Sequence, residues 1–125
     1  MPEQPKKIVA VLNDLFFTVK INESAKRAGF PITFVKSEPD VLAQAAGKPA
    51  LFIFDLNFSG IDPLALIRKL KSDAETKGIT VIGYVSHVQG ELKQAAHEAG
   101  CDMVLARSAF SQNLPQILKR HSPTG

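Results

Sequence analysis

One stretch organises the chain: Ala50-Leu51-Phe52-Ile53-Phe54-Asp55-Leu56-Asn57. Its apolar residues run without a break and stop at the carboxylate of Asp55. Such a run is too short to cross a membrane and is typical of a strand that is covered on both faces. After a short loop, Asp62 and Pro63 form a strong helix start, with the acid as N-cap and the proline in the first turn. A strand, an acid, a loop and a helix therefore follow one another in order.

The same alternation of strand and helix occurs five times along the chain. Strands are predicted at 7–12, 31–36, 50–54, 79–85 and 103–106, the second of them nearer the sheet edge. A helix follows each strand, and the last is expected to begin near Ser111 with Pro115 in its first turn. The pattern predicts an α/β protein, a doubly wound five-stranded parallel sheet in the flavodoxin-like order 2-1-3-4-5, with helices on both faces in three layers.

Composition narrows the class of protein. The 125 residues suffice for one domain, 1–125, and only the ends, up to Pro5 and from Ser122, are predicted to be loose tails. The single cysteine, Cys101, rules out an internal disulfide framework and favours a reducing compartment, so we expect a cytoplasmic protein. No apolar signal segment or membrane-spanning run is present. A net charge of +3 without a dense basic run argues against direct nucleic-acid binding.

Polar side chains close four of the predicted strands. Because the carboxyl ends of parallel strands meet at one edge, five residues are expected to gather there: Asn13, Asp14, Asp55, Ser86 and Arg107. Asp14 and Asp55 end neighbouring strands, so their carboxylates should lie close and repel one another. A hard divalent cation such as Mg²⁺ relieves this repulsion, and the backbone carbonyl of Asn57 can turn toward the same ion.

The same set of residues suits phosphoryl chemistry. Ser86 supplies a hydroxyl donor and Arg107 a cation, which together suit a phosphoryl group. Asp55 needs no general base to attack phosphorus, because an ionised aspartate is already nucleophilic. Taken one at a time, these residues also have simpler interpretations: the acids as loop caps, Ser86 as a turn cap and Arg107 as a solvated cation.

Over nearly its whole length the chain resembles a response-regulator receiver domain of two-component signalling. The resemblance is carried by Asp14 after the first strand, Asp55 after the third, Ser86 after the fourth, and the spacing of the loop 55–62 into the third helix. It implies a receiver fold and phosphorylation of Asp55. It also implies two partners. One is a histidine kinase or phosphotransfer protein, and the other is a downstream signalling protein that binds the face formed by the fourth helix, fifth strand and fifth helix.

The resemblance also implies roles for the residues around Asp55. The magnesium ion would be held by Asp14, Asp55 and Asn57, with Asn13 acting through water. Asn13 replaces the first acid of the family's pair, so metal affinity should fall without vanishing. Arg107 stands where the family has lysine, and the two are not equivalent donors.

A second interpretation, a pseudo-receiver, therefore stays open. Such a protein-interaction module would keep the fold without regulated phosphorylation. Val104 also favours it, because the family has an aromatic residue at this strand position. A third interpretation, a flavodoxin-like enzyme, has little support, since no G-x-G-x-x-G or P-loop pattern occurs. A phosphate-binding loop after the first strand would need small residues, but the chain has Phe16 and Phe17 there, which are predicted to pack from the first helix. We expect no enzymatic activity of its own.

Overall fold

The computed structural model describes residues 7–86 and 90–120. Strands and helices alternate in this part of the chain: β1 (Ile8–Val11), α1 (Leu15–Ala28), β2 (Ile32–Val35), α2 (Glu38–Ala46), β3 (Leu51–Asp55), α3 (Pro63–Ser72), β4 (Thr80–Val85), α4 (Gly90–Ala99), β5 (Met103–Ala106) and α5 (Arg107–Arg120). The strands form one parallel sheet in the order β2-β1-β3-β4-β5. The predicted fold class and strand order are confirmed. The tails predicted up to Pro5 and from Ser122 lie outside the described residues.

The sheet separates two apolar cores, because successive side chains of a strand point to opposite faces. One face packs against α1 and α5, which contribute Phe17, Ile21, Ala25, Phe110, Leu114, Ile117 and Leu118. The other packs against α2, α3 and α4, which contribute Val41, Ala45, Leu66, Ile67, Leu70, Ala96 and Ala99. All residues of β1 and the first four of β3 are buried. Burial from both sides explains why these strands are unbroken apolar runs in the sequence.

Side-chain caps determine where the helices next to the sheet edge begin. The Oδ1 atom of Asp14 accepts a hydrogen bond from the backbone N–H of Phe17 at 3.3 Å and starts α1. Asp62 does the same for Ala65 at 3.1 Å and starts α3, with Pro63 in the first turn as predicted. Each cap satisfies a backbone donor that has no partner inside the helix.

The last helix begins one turn earlier than predicted. It follows β5 directly at Arg107 instead of near Ser111, and Pro115 lies inside the helix instead of in its first turn. The buried face of α5 starts at Phe110, which is fully buried, and continues at Leu114 with helical spacing. Burying Phe110 requires helix before Ser111, and this contribution outweighs the backbone hydrogen bond that the proline removes. Arg107 therefore belongs to a helix and not to a loop.

Lys71 ties three elements together at the amino-terminal edge of the sheet. From α3, its Nζ donates hydrogen bonds to the carbonyl of Ile79 at 2.7 Å and to Asp102 Oδ2 at 2.8 Å, with a longer bond to the carbonyl of Lys77 at 3.3 Å. The same oxygen of Asp102 accepts from the backbone N–H of Val81 at 2.8 Å. The network joins α3 to the chain before β4 and β5, at the end of the sheet opposite Asp55.

None of the helices within 7–86 and 90–120 combines the length and the apolar character that a membrane crossing requires.

Candidate functional site

Asp55 is the last residue of β3 and lies at the carboxyl edge of the sheet. It is in register with Tyr84 of the neighbouring strand β4. Its Oδ1 atom accepts a hydrogen bond from the backbone N–H of Asn57 at 2.9 Å. This bond holds the carboxylate against the loop that leads to α3.

Asp55 and Asp14 are within electrostatic reach of one another. Partial burial raises the pKa of Asp55 above its ordinary value of 3.8. The backbone N–H of Asn57 and the Arg107 guanidinium oppose this rise, and the Asp14 carboxylate adds to it. The adjacency of β1 and β3 thus brings the two predicted acids to one edge, where the Asp14 carboxylate disfavours the charge of Asp55.

Asp55→Asn is expected to raise the free energy of unfolding at neutral pH. Because the pKa of Asp55 is higher in the folded state, the folded protein binds more protons than the unfolded chain as the pH rises from 3.8, and stability falls through this window. The asparagine variant carries no such cost. Urea denaturation of both proteins over a pH series should show that Asp55→Asn gains free energy of unfolding over the wild type. This gain should be complete at neutral pH and disappear below pH 3.8. Equal stability of the two proteins at neutral pH would contradict this account.

Arg107 pairs with Asp14. Its Nη2 atom contacts Asp14 Oδ2, so the carboxylate caps α1 through one oxygen and binds the guanidinium through the other. The guanidinium also lies over the ring of Phe17, with 4.4 Å between Cζ and the ring centroid. Sequence reasoning assigned Arg107 to a phosphoryl group and did not anticipate the contacts with Asp14 and Phe17.

Three stacked aromatic rings lie beneath this ion pair. Tyr84 stacks between Phe17 and Phe110, with 5.0 Å between ring centroids on each side. Its hydroxyl is buried and has no hydrogen-bond partner among the described residues. Burial, reinforced by the charges of Asp55 and Asp14, raises the pKa of Tyr84 far above its ordinary value, so the phenol stays neutral. Sequence reasoning missed Tyr84, although an aromatic residue two positions before Ser86 was the available signal.

Ser86 and Asn57 bind each other across the ends of β4 and β3. The backbone N–H of Ser86 donates to Asn57 Oδ1 at 2.7 Å, and its hydroxyl donates to the same atom at 3.0 Å. The sequence predicted a role for the Asn57 backbone carbonyl and for the Ser86 hydroxyl, but not this contact. These two hydrogen bonds hold the loop after Asp55 against the end of β4.

The oxygen donors at this edge fit a hard divalent cation. Two carboxylates, Asp14 and Asp55, lie at neighbouring strand ends, and Asn13 is exposed beside them. Among the described residues no three His, Cys, Asp or Glu side chains are grouped to hold a metal. Mg²⁺ commonly needs only one or two carboxylates, with water or phosphoryl oxygen completing its shell. Arg107 contacts one of these two carboxylates, that of Asp14.

Phe16 differs from its prediction. Phe17 packs in the core as expected and is 2% exposed, but Phe16 is 68% exposed. Successive helical residues are about 100° apart, so Phe17, Ile21 and Ala25 occupy the inward face and leave Phe16 outside. Phe16 borders an open groove of about 540 Å³, which is also lined by Phe17, Ser86, Ala106, Arg107, Ser108 and Ser111.

Comparison with known proteins identifies the fold. No protein-family model matches the sequence, and no curated protein matches it significantly. Solved structures do match it, and many of them are response regulators or receiver domains. The chain has the fold of a response-regulator receiver domain.

Three of these structures illustrate the likeness. The chemotaxis response regulator CheY4 of Vibrio cholerae is 17% identical with a TM-score of 0.79, and the match covers 93% of this chain and 98% of that chain. The phosphorylated cyanobacterial phytochrome response regulator RcpA is 21% identical with a TM-score of 0.75, covering 92% and 89%. The receiver domain of a Pseudomonas aeruginosa sensor histidine kinase, which has a magnesium ion in its active-site cleft, is 18% identical with a TM-score of 0.77, covering 92% and 95%. At these identities the likeness establishes the fold.

Proposed function

We propose that this protein is a phosphoryl-accepting receiver domain of a two-component or phosphorelay system, with Asp55 as the acceptor. The observation that carries this proposal is the position of Asp55, a partly buried carboxylate at the end of the central strand β3, within electrostatic reach of Asp14 and Arg107. The fold supports it, because one of the similar structures is a phosphorylated response regulator.

The reaction follows from the position and charge of Asp55. One of its oxygens attacks the phosphorus of a phosphohistidine on the partner, the P–N bond breaks, and the imidazole leaves with its electron pair. The product is an acyl phosphate on Asp55. The Ser86 hydroxyl would leave Asn57 Oδ1 to donate to the phosphoryl group, and Arg107 would leave Asp14 to add positive charge there.

A magnesium ion belongs to the proposed site. Asp14, Asp55 and the backbone carbonyl of Asn57 would hold it, with Asn13 contributing through water. The ion would neutralise charge on the phosphoryl oxygens during transfer. Support comes from the hard oxygen donors at this edge and from the magnesium ion in the cleft of one similar receiver domain.

The proposed partners are a histidine kinase or phosphotransfer protein and a downstream signalling protein. Three apolar side chains on α1 support the first, since Leu15, Phe16 and Val19 are 79%, 68% and 51% exposed directly after Asp14. An apolar surface beside an acceptor suits a partner that must bring its histidine to Asp55. We assign the downstream partner to the face formed by α4, β5 and α5, and we assign the protein to the cytoplasm without enzymatic activity of its own.

Labelling with a small phosphodonor tests the acceptor. Incubation with Mg²⁺ and an acyl phosphate or phosphoramidate should add the mass of one phosphoryl group to the wild type, and none to Asp55→Asn. Asp62→Asn is the matched control, because Asp62 is an exposed acid of the same loop and asparagine caps helices equally well. Intact-protein mass spectrometry reads the result. An Asp55→Asn protein that gains the same mass would falsify the assignment.

A pseudo-receiver is the second candidate, and the pairing of Arg107 with Asp14 favours it. In such a module the ion pair would be permanent, and the domain would present a fixed surface to its partner. A Mg²⁺ titration followed by backbone amide signals separates the candidates. Shifts near Asp14 support the acceptor, and an unchanged spectrum supports the pseudo-receiver.

A further inference from the structure

The carboxylate of Asp14 already pairs with a cationic side chain, that of Arg107. Arg107 contacts one of its carboxylate oxygens, and the backbone N–H of Phe17 binds the other. Both side chains of the ion pair are partly buried, with 38% of Arg107 and 25% of Asp14 exposed. The guanidinium therefore stands at one of the two carboxylates that a divalent ion would use.

We propose that Arg107 and a divalent metal ion compete for Asp14, so that the guanidinium must leave this carboxylate before the metal can bind. This competition rests on the proposed function, because it concerns which cation neutralises the carboxylates of the proposed acceptor site. In the metal-free protein Arg107 offsets the repulsion between Asp14 and Asp55. The observed metal affinity is therefore lowered by the free energy needed to displace Arg107.

Electrostatics makes the two occupants exclusive. A metal ion on Asp14 Oδ2 would lie within a few ångströms of the guanidinium that now contacts this atom, and like charges at such a separation in a partly buried site repel strongly. The other oxygen is engaged as the cap of α1, so the carboxylate has no second position to offer without weakening the helix start. Binding of one cation therefore excludes the other.

Phe17 positions Arg107 for this competition. Its ring lies 4.4 Å from the guanidinium carbon and is fixed in the core by stacking on Tyr84. A planar guanidinium gains from an aromatic face as well as from the carboxylate. Lysine has no planar group to stack in this way, so we assign to the arginine a stronger hold on Asp14 than lysine would have.

Mn²⁺ titration without any phosphodonor tests the competition, with free Mn²⁺ measured by its electron paramagnetic resonance signal. Removing the charge in Arg107→Gln should tighten Mn²⁺ binding about five- to tenfold, the range expected for a partly exposed ion pair. The Mn²⁺ affinity of Arg107→Lys should lie between those of the wild type and Arg107→Gln. Arg27→Gln is the matched control: it removes the same charge from an exposed position near the far end of α1, about 20 Å away by helix rise, and should leave the affinity unchanged.

A second readout follows Arg107 itself. Protons of its side chain sense the ring current of Phe17, and saturating Mg²⁺ should move their resonances toward the values of a solvated arginine. Equal Mn²⁺ affinity in the wild type, Arg107→Lys and Arg107→Gln, weaker binding in Arg107→Gln, or no binding to any of them would each overturn the proposal. The first two outcomes leave the acceptor role of Asp55 untouched, because no phosphoryl group is involved, whereas an absence of binding would also support the pseudo-receiver.

Discussion

Phe17→Ala is expected to lower the free energy of unfolding by about 3–5 kcal/mol, whereas Phe16→Ala should change it by less than about 0.5 kcal/mol. The two residues are adjacent and chemically identical, but Phe17 is 2% exposed and Phe16 is 68% exposed. Truncating Phe17 leaves a cavity beside Tyr84 and removes the ring under Arg107. Truncating Phe16 removes mainly surface that water already reaches, together with an edge-to-face contact on Phe17.

Equilibrium urea denaturation of the two variants, followed by far-ultraviolet circular dichroism, gives both values. The slope with denaturant should stay nearly the same, since one side chain is a small part of the surface that unfolding exposes. Similar losses from both variants would show that Phe16 is also covered, and the assignment of the inward face of α1 would then be wrong.

Lys71→Ala is expected to cost about 2–3 kcal/mol, whereas Lys69→Ala should cost about 0.5 kcal/mol or less. Both lysines belong to α3 and both have an acidic partner. The Lys71 side chain is 16% exposed and its Nζ serves two carbonyls and Asp102. The Lys69 side chain is 58% exposed and pairs with Glu38 at 3.1 Å, where water can replace the partner.

The same denaturation measurement checks this pair of lysines. Raising the salt concentration adds a second criterion, because exposed charges are screened more than covered ones. The loss from Lys71→Ala should persist in high salt. A loss that salt abolishes would mean that Lys71 acts as a surface charge and does not join α3 to the start of β4 and β5.

The fold could be predicted because local and global signals agree. The buried run ending at Asp55, followed by Asp62 and Pro63, specified a strand and a helix start, and both are present. Five repetitions of this unit leave few arrangements of a parallel sheet. The start of α5 was misplaced because a proline was given more weight than the burial of Phe110, which depends on the packing of distant segments.

The site was predictable in part. The sheet edge that should carry Asp14 and Asp55 follows from topology alone, and the structure brings the acids within electrostatic reach. What each side chain contacts depends on rotamers and distances that a sequence does not contain. The pairing of Arg107 with Asp14 and the bond of Ser86 to Asn57 are such contacts. The roles of these residues in phosphoryl transfer remain predictions.

The position of Tyr84 has a practical consequence. The chain contains one tyrosine and no tryptophan, so its near-ultraviolet emission comes from a ring held between Phe17 and Phe110. Any event that moves Arg107 or Phe17 alters the surroundings of that fluorophore. The protein thus carries its own optical reporter, and any cation, phosphodonor or unlabelled partner without tyrosine or tryptophan can be screened against it without attaching a dye.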